Sequence, residues 1–191
     1  GGDVLMGSAT TRDEALHLQL KLSHMRLGLG VGANDAEAVL RALPSVALRY
    51  RAQDQAARAL AQWCSQQPQF AQVLHPAQPG APGHAHWQQL CGAADARGQG
   101  AAAGLFSVIV DPRYSQAQVD AFCDALALFR LGYSWGGPIS LVVPYELASL
   151  RANGWPAHIA RGTLVRFSTG LEAVADLQAD LAQALARALP L

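Results

Sequence analysis

The chain has 191 residues, 51% hydrophobic and 15% charged, with a formal net charge of zero at pH 7. That composition suits a packed globular protein and excludes a disordered one. Zero net charge argues against nucleic acid or an anionic membrane as partner, and no apolar run is long enough to span a bilayer.

The length fits one domain or the ends of two. Cys64, Cys91 and Cys123 are odd in number and widely spaced, with no Cys-x-x-Cys pair, so a reducing cytoplasmic setting is the default expectation. The first residues, Gly1-Gly2-Asp3, carry neither an initiator Met nor a signal-peptide pattern.

Asp3–Ala9 reads as a short buried strand, and Thr10 or Thr11 as the cap of a helix with Asp13 and Glu14 in its first turn. That helix is apolar all round. It runs into Gly28-Leu29-Gly30-Val31-Gly32, a helix end and loop. The glycines follow a helix instead of a strand, which rejects a dinucleotide-binding loop. Asn34-Asp35-Ala36-Glu37 reads as a capping box for a short helix to about Ala42. Pro44 suits the first turn of a long helix to about Gln66.

Phe70–Leu74 reads as a strand, followed by a proline- and glycine-rich loop from Pro76 to Gly83. His84-x-His86 with His75 and Cys91 matches no standard zinc spacing and falls in an expected loop, so no metal is assigned. Ala93–Ala103 reads as a surface loop. Leu105–Val110 is an expected strand and Ser115–Leu126 an expected helix capped by Ser115. Leu128–Tyr133, Ile139–Val143 and Thr163–Phe167 are further expected strands. Thr169-Gly170-Leu171-Glu172 reads as a capping box for a last helix, whose Leu171, Val174, Leu177, Leu181 and Leu185 share one face. Alternating helices and strands give an α/β or α+β class.

Two stretches carry the chemical signal. Leu131–Gly137, Leu-Gly-Tyr-Ser-Trp-Gly-Gly, combines two aromatic rings, a hydroxyl and three glycines. It is readable as a tight turn with Tyr133 and Trp135 in the core, or as a pocket wall with a polar handle. Ser134 is not in a Gly-x-Ser-x-Gly elbow, so a nucleophile role lacks support. Arg166 sits in an apolar strand, where alternation puts Leu164, Arg166 and Ser168 on one face and Val165 and Phe167 on the other. It reads either as a half-exposed strand arginine or as a fork for a carboxylate, since guanidinium offers parallel donors that match that geometry.

Tyr-Ser-Trp-Gly-Gly and the later Val165-Arg166-Phe167-Ser168-Thr169-Gly170-Leu171-Glu172 together resemble the Cys/Met-metabolism family of pyridoxal-phosphate enzymes, and within it the cystathionine β-lyase branch. Asn34-Asp35, Arg41-Ala42-Leu43, His75-Pro76 through Gly83-His84, Trp87 and Gly104-Leu105-Phe106-Ser107 also fit, so the resemblance covers nearly the whole chain. There are departures. Pro44 stands where the family commonly has the second arginine of Arg-Gly-Leu-Arg-Thr-Leu, and Pro138-Ile139-Ser140 replaces the usual x-Glu-Ser.

The resemblance implies an α/β fold of the fold-type-I pyridoxal-phosphate kind. Residues 1–43 would end the large cofactor domain, 44–66 form a connecting helix, and 67–191 a small C-terminal domain with a mainly antiparallel sheet flanked by helices. It implies a lyase with pyridoxal 5'-phosphate as cofactor, cleaving cystathionine to homocysteine, pyruvate and ammonia in methionine biosynthesis. It further implies a cytoplasmic homotetramer built as a dimer of dimers. Arg166 would bind the substrate α-carboxylate, with Ser134, Trp135 and Tyr133 beside it; Tyr133 is equally readable as packing. The Schiff-base lysine is expected before Gly1, so no catalytic residue is expected in this chain, and its cofactor-binding residues are not assigned. Lys21, the only lysine against thirteen arginines, matches no family motif. The chain is therefore expected to be the trailing part of the enzyme. A γ-acting relative or a cysteine-desulfhydrase-like lyase is the alternative within the class, and a non-catalytic assembly or binding module the alternative outside it.

Overall fold

The computed structural model of the chain describes residues 2–92, 100–150 and 154–191. They divide into two compact units, Gly1–Ala47 and Leu48–Leu191.

The first unit holds helices α1 (Glu14–Arg26) and α2 (Ala33–Ala42) and a 3-10 turn, Leu43–Ser45. Asp13 caps α1 by accepting from the Leu16 amide at 2.7 Å, a better cap than the expected threonines because its carboxylate carries charge toward the helix N-terminus. No α1 residue is buried, in keeping with a helix apolar all round that has no single core face. The expected strand at Asp3–Ala9 does not form; the segment is irregular and Leu5 fully exposed. A strand needs a ladder partner, and its apolar run has none among the described residues. The expected Asn34 capping box is also absent. The helix starts earlier, with Gly32 as N-cap and no side-chain cap, and Glu37 pairs with Arg41 one turn on.

Helix α3 (Val46–Cys64) follows the proline turn and runs through the unit boundary. In the second unit come β1 (Phe70–Leu74), α4 (His84–Cys91), β2 (Leu105–Val110), α5 (Gln116–Ala125), β3 (Arg130–Leu131), β4 (Leu141–Tyr145), α6 (Leu147–Leu150), β5 (Thr163–Ser168) and α7 (Val174–Ala188). Helix α4 corrects the expected loop around His84. Its His84 ring donates from Nδ1 to the Pro76 carbonyl at 2.8 Å, which ties the helix start to the preceding turn. Most of the expected loop Ala93–Ala103 lies outside the described residues.

The strands form one sheet in the order β1-β2-β5-β4-β3, antiparallel except for the β3–β4 pair. The α/β class with a mainly antiparallel sheet flanked by helices is therefore as expected. Phe106, Val108, Val110, Val142, Val165 and Phe167 share the face that packs on Leu60 of α3, Phe122 of α5 and Leu177 and Leu181 of α7. Phe167 is the pivot: it stacks on Phe106 at 5.0 Å and meets Phe129 edge-on at 5.2 Å. Each such side chain contributes about 1.5–3 kcal/mol on burial.

The expected strand Leu128–Tyr133 shrinks to two residues. Asp180 of α7, 5% exposed, accepts from the amides of Ala127 (2.8 Å), Leu128 (2.8 Å) and Phe129 (3.3 Å). Those amides face a carboxylate and cannot join a ladder. The last helix also starts late. Its N-cap is Ala173, without a side-chain cap, because Thr169 and Glu172 are bonded elsewhere.

His75, at the end of β1, is buried; its Nδ1 accepts from the Ala77 amide at 3.2 Å and its buried Nε2 has no partner among the described residues. Desolvation, helped by the Arg58 charge, lowers its pKa to about 4. A folded-state pKa below the unfolded one means that acid favours unfolding. Between pH 7 and pH 5 the intact protein should lose about 2 kcal/mol more stability than a His75→Gln variant. Urea unfolding of both proteins at the two pH values checks this, and parallel losses would contradict it.

Candidate functional site

Strand β5 places Arg166 on the sheet face opposite the helix-packed core, between Ser107 on β2 and Val143 on β4. The alternation expected from sequence holds: Val165 and Phe167 are fully buried in the core, while Arg166 points the other way. The 132–140 segment between β3 and β4 then comes over this face.

Arg166 Nη2 donates to the carbonyls of Tyr133 at 2.7 Å and Ser134 at 3.2 Å, and lies 3.5 Å from that of Gly132. The guanidinium carbon lies 5.6 Å from the Trp135 ring and 5.8 Å from the Tyr145 ring, both within cation–π range. Arg166 Nε is buried and has no hydrogen-bond partner among the described residues. A buried donor left unpaired costs roughly 1–3 kcal/mol. One edge of the guanidinium is thus tied to the loop, while Nε is shielded and unpaired among the described residues.

All four site residues expected from sequence come together. Tyr133, Ser134 and Arg166 are joined by hydrogen bonds through the loop backbone, and Trp135 flanks the guanidinium. The core-turn reading of the aromatic pair does not hold: Tyr133 is 74% and Trp135 62% exposed. Tyr133 instead meets Tyr145 edge-on at 6.3 Å.

The loop is anchored on both sides. Before it, the Gly132 amide donates to Val142 O at 3.2 Å. After it, Glu172 accepts from the Ser140 amide and hydroxyl, both at 2.8 Å, and Ser140 Oγ in turn accepts from the Gly170 amide at 2.8 Å. Leu171 N donates to Pro138 O at 2.9 Å. Glu172 is therefore not a capping-box acid but a clasp between the end of β5 and the start of β4. In the middle, Gly136 adopts φ +73°, a conformation that a side chain would strain.

Sequence reasoning missed Tyr145, Glu172 and Ser140 as parts of the site. Tyr145 lies opposite Leu164 in the ladder, two residues from Arg166 along the same face. Only the strand register brings it there, and no local motif marks it.

Cys64 and Cys123 are buried, and burial raises both thiol pKa values, that of Cys123 to about 12, so neither is poised as a nucleophile. Among the described residues, no group of three or more His, Cys, Asp or Glu could hold a metal ion, and no helix is long and apolar enough to cross a membrane.

Comparison with known proteins identifies the family. The family described as Cys/Met metabolism PLP-dependent enzyme matches residues 1–186. The cystathionine beta-lyase of Salmonella typhimurium is 35% identical over 188 residues, which is 97% of this chain and 45% of that protein. The cystathionine beta-lyase of Bordetella avium is 36% identical, over 97% of this chain and 44% of that protein. A crystal structure of cystathionine gamma synthase from Xanthomonas oryzae pv. oryzae, in complex with aminoacrylate and cysteine, superposes with a TM-score of 0.75 at 32% identity. It is covered over 46% of its length by 95% of this chain. The chain thus spans less than half the length of these relatives. With a family match over nearly its whole length, relatives above 30% identity and a shared fold, the chain belongs to the Cys/Met-metabolism family of pyridoxal-phosphate-dependent enzymes.

Proposed function

We propose that this chain supplies the substrate-carboxylate side of a carbon–sulfur β-lyase that converts cystathionine and water to homocysteine, pyruvate and ammonia, as a step of methionine biosynthesis. The observation that carries the reading is the Arg166 guanidinium, whose Nη2 is fixed to the loop while its buried Nε lacks an acceptor. The guanidinium charge suits an amino-acid carboxylate. The cystathionine beta-lyases of Salmonella typhimurium and Bordetella avium, the relatives above, favour cystathionine as substrate.

The residues present fit the amino-acid end of such a site; none in this chain is assigned to hold the cofactor itself. Lys21 is exposed on α1. Bound pyridoxal phosphate supplies the electron sink for the carbanion at the substrate α-carbon. Arg166 holds the α-carboxylate, and so fixes the direction of the bonds at the α-carbon before any bond breaks. The Tyr133 and Ser134 carbonyls hold Arg166 in turn. Trp135 and Tyr145 flank the guanidinium. The protein is proposed to work in the cytoplasm as a homotetramer of paired dimers.

The gamma synthase structure favours a second reading, a γ-acting enzyme. The products separate the two. Cleavage on the β side of cystathionine releases pyruvate and homocysteine, whereas cleavage on the γ side releases 2-oxobutyrate and cysteine. Pyruvate is the expected product of the intact protein, and 2-oxobutyrate would move the assignment to the γ-acting branch.

Borohydride reduction of the cofactor-loaded intact protein should leave Lys21 unlabelled. A stoichiometric label mapped to Lys21 would contradict the assignment of the chain to the substrate side alone.

Arg166→Lys in the intact enzyme should keep the cofactor and lose roughly tenfold to a hundredfold in kcat/KM, as one charge-assisted hydrogen bond contributes about 1.5–3 kcal/mol. Lysine retains the charge and loses the fork, so the loss reports geometry. A loss confined to KM would mark substrate binding, and a fall in kcat as well would mark alignment of the reacting bond. Steady-state kinetics with cofactor content measured on the same preparations decides. Unchanged kcat/KM at full occupancy would make Arg166 an ordinary strand arginine.

A further inference from the structure

The far end of the Tyr133–Gly137 loop is held by a side chain from a different element. Gln53, on α3, is 7% exposed, and its Nε2 donates to the Gly137 carbonyl at 2.7 Å across 84 residues of sequence. The Gln53 backbone is itself fastened. Thr169 Oγ lies 3.0 Å from the Gln53 carbonyl and 3.1 Å from the Gly104 carbonyl, and the Thr169 amide donates to Gly104 O at 2.8 Å. Gly104 permits this approach. A Cβ there would stand 2.9 Å from Thr169 Oγ and 3.0 Å from Gln53 Cβ, closer than side chains tolerate.

The placement matters because of what the loop is made of. Gly136 and Gly137 give the backbone wide conformational freedom, and Gly136 uses it with a positive φ. Among the described residues, the Ser168 side chain also bonds this pair, accepting from the Gly136 amide at a long 3.4 Å. Fixing the Gly137 carbonyl removes the freedom of the glycine pair and so restrains the two carbonyls, of Tyr133 and Ser134, that hold Arg166.

We propose that Gln53 is a positioning residue for the Arg166 carboxylate clamp, acting through the Gly137 carbonyl. The proposal rests on the reading of Arg166 given above. Gln53 need not touch substrate. It sets the loop that sets the guanidinium, and its loss should weaken substrate binding more than turnover at saturation.

The amide nitrogen is the group that counts, so the informative substitution exchanges it for an ionisable group. In Gln53→Glu the neutral carboxyl still offers one O–H to the Gly137 carbonyl, whereas the carboxylate offers only acceptors and repels it. Burial at this position raises the pKa of the introduced carboxyl and brings its ionisation toward the assay range. In the intact holoenzyme, KM of Q53E for cystathionine, taken relative to wild type at each pH, should rise roughly tenfold or more as pH increases. kcat should change less. Gln53→Ala should raise KM at every pH.

Amide hydrogen exchange over residues 133–137, measured on the same proteins, supplies a readout independent of catalysis. Exchange should be faster in Q53A throughout and in Q53E only at the higher pH. Unchanged loop exchange in Q53A overturns the proposal. So does a Q53E whose KM relative to wild type is independent of pH, or a loss that falls on stability with KM intact. If exchange responds as expected but the wild-type holoenzyme releases neither pyruvate nor 2-oxobutyrate from cystathionine, the lyase reading fails. The anchoring of the loop by Gln53 then stands apart from it.

Discussion

Strand β5 is hydrogen-bonded on both edges, to β2 and to β4, and the site depends on that double pairing. A strand paired on both sides cannot slip by one residue without moving every side chain to the opposite face. Here a slip would carry Phe167 out of the aromatic cluster with Phe106 and Phe129 and bring Arg166 into the core. The cost of burying an unpaired guanidinium and exposing the phenylalanine is far larger than the hydrogen bonds at stake. The core therefore fixes the register, and the register fixes where the arginine emerges. The same β4 pairing places Tyr145 beside it.

The loop above Arg166 is a second layer of constraint, made of polar contacts instead of apolar burial. Its aromatic rings are exposed, so burial does little to hold it. Its position comes from hydrogen bonds to Gln53, Glu172, Val142 and Arg166 itself. Individually such bonds contribute about 0.5–1.5 kcal/mol, and a charged partner raises that to about 1.5–3 kcal/mol. Leaving a buried member unpaired costs more than its bond contributes, which is why these contacts specify one loop conformation. A clamp built this way is rigid where the carbonyls face Arg166 and open where Tyr133 and Trp135 face outward.

Several local patterns in the sequence did not become the local structures they suggest, and one cause recurs. Thr169 and Glu172 have the spacing of a capping box, yet Thr169 bonds to Gln53 and Gly104 and Glu172 to Ser140. Residues Leu128 and Phe129 have strand character, yet their amides serve the Asp180 carboxylate. In each case a distant buried polar group competes for the same backbone or side-chain atoms and prevails. Such groups must be satisfied somewhere, and a short-range pattern carries no record of a long-range claimant.

What the sequence determined by itself was the alternation that sends Val165 and Phe167 inward and Arg166 outward, the strands at Phe70–Leu74 and Leu105–Val110, the helix capped by Ser115, and the glycine-rich aromatic loop. These follow from side-chain period, cap chemistry and glycine geometry, which act within a few residues. The tertiary structure alone decided that the loop closes over Arg166, that Tyr145 lies beside the guanidinium, and that Gln53 holds Gly137. It also decided that the apolar run after Asp3 forms no strand and that His84 starts a helix. The closing of the loop over Arg166 and its anchoring by Gln53 depend on strand order and on contacts spanning from about thirty to more than eighty residues, where the groups meet only once the sheet has formed.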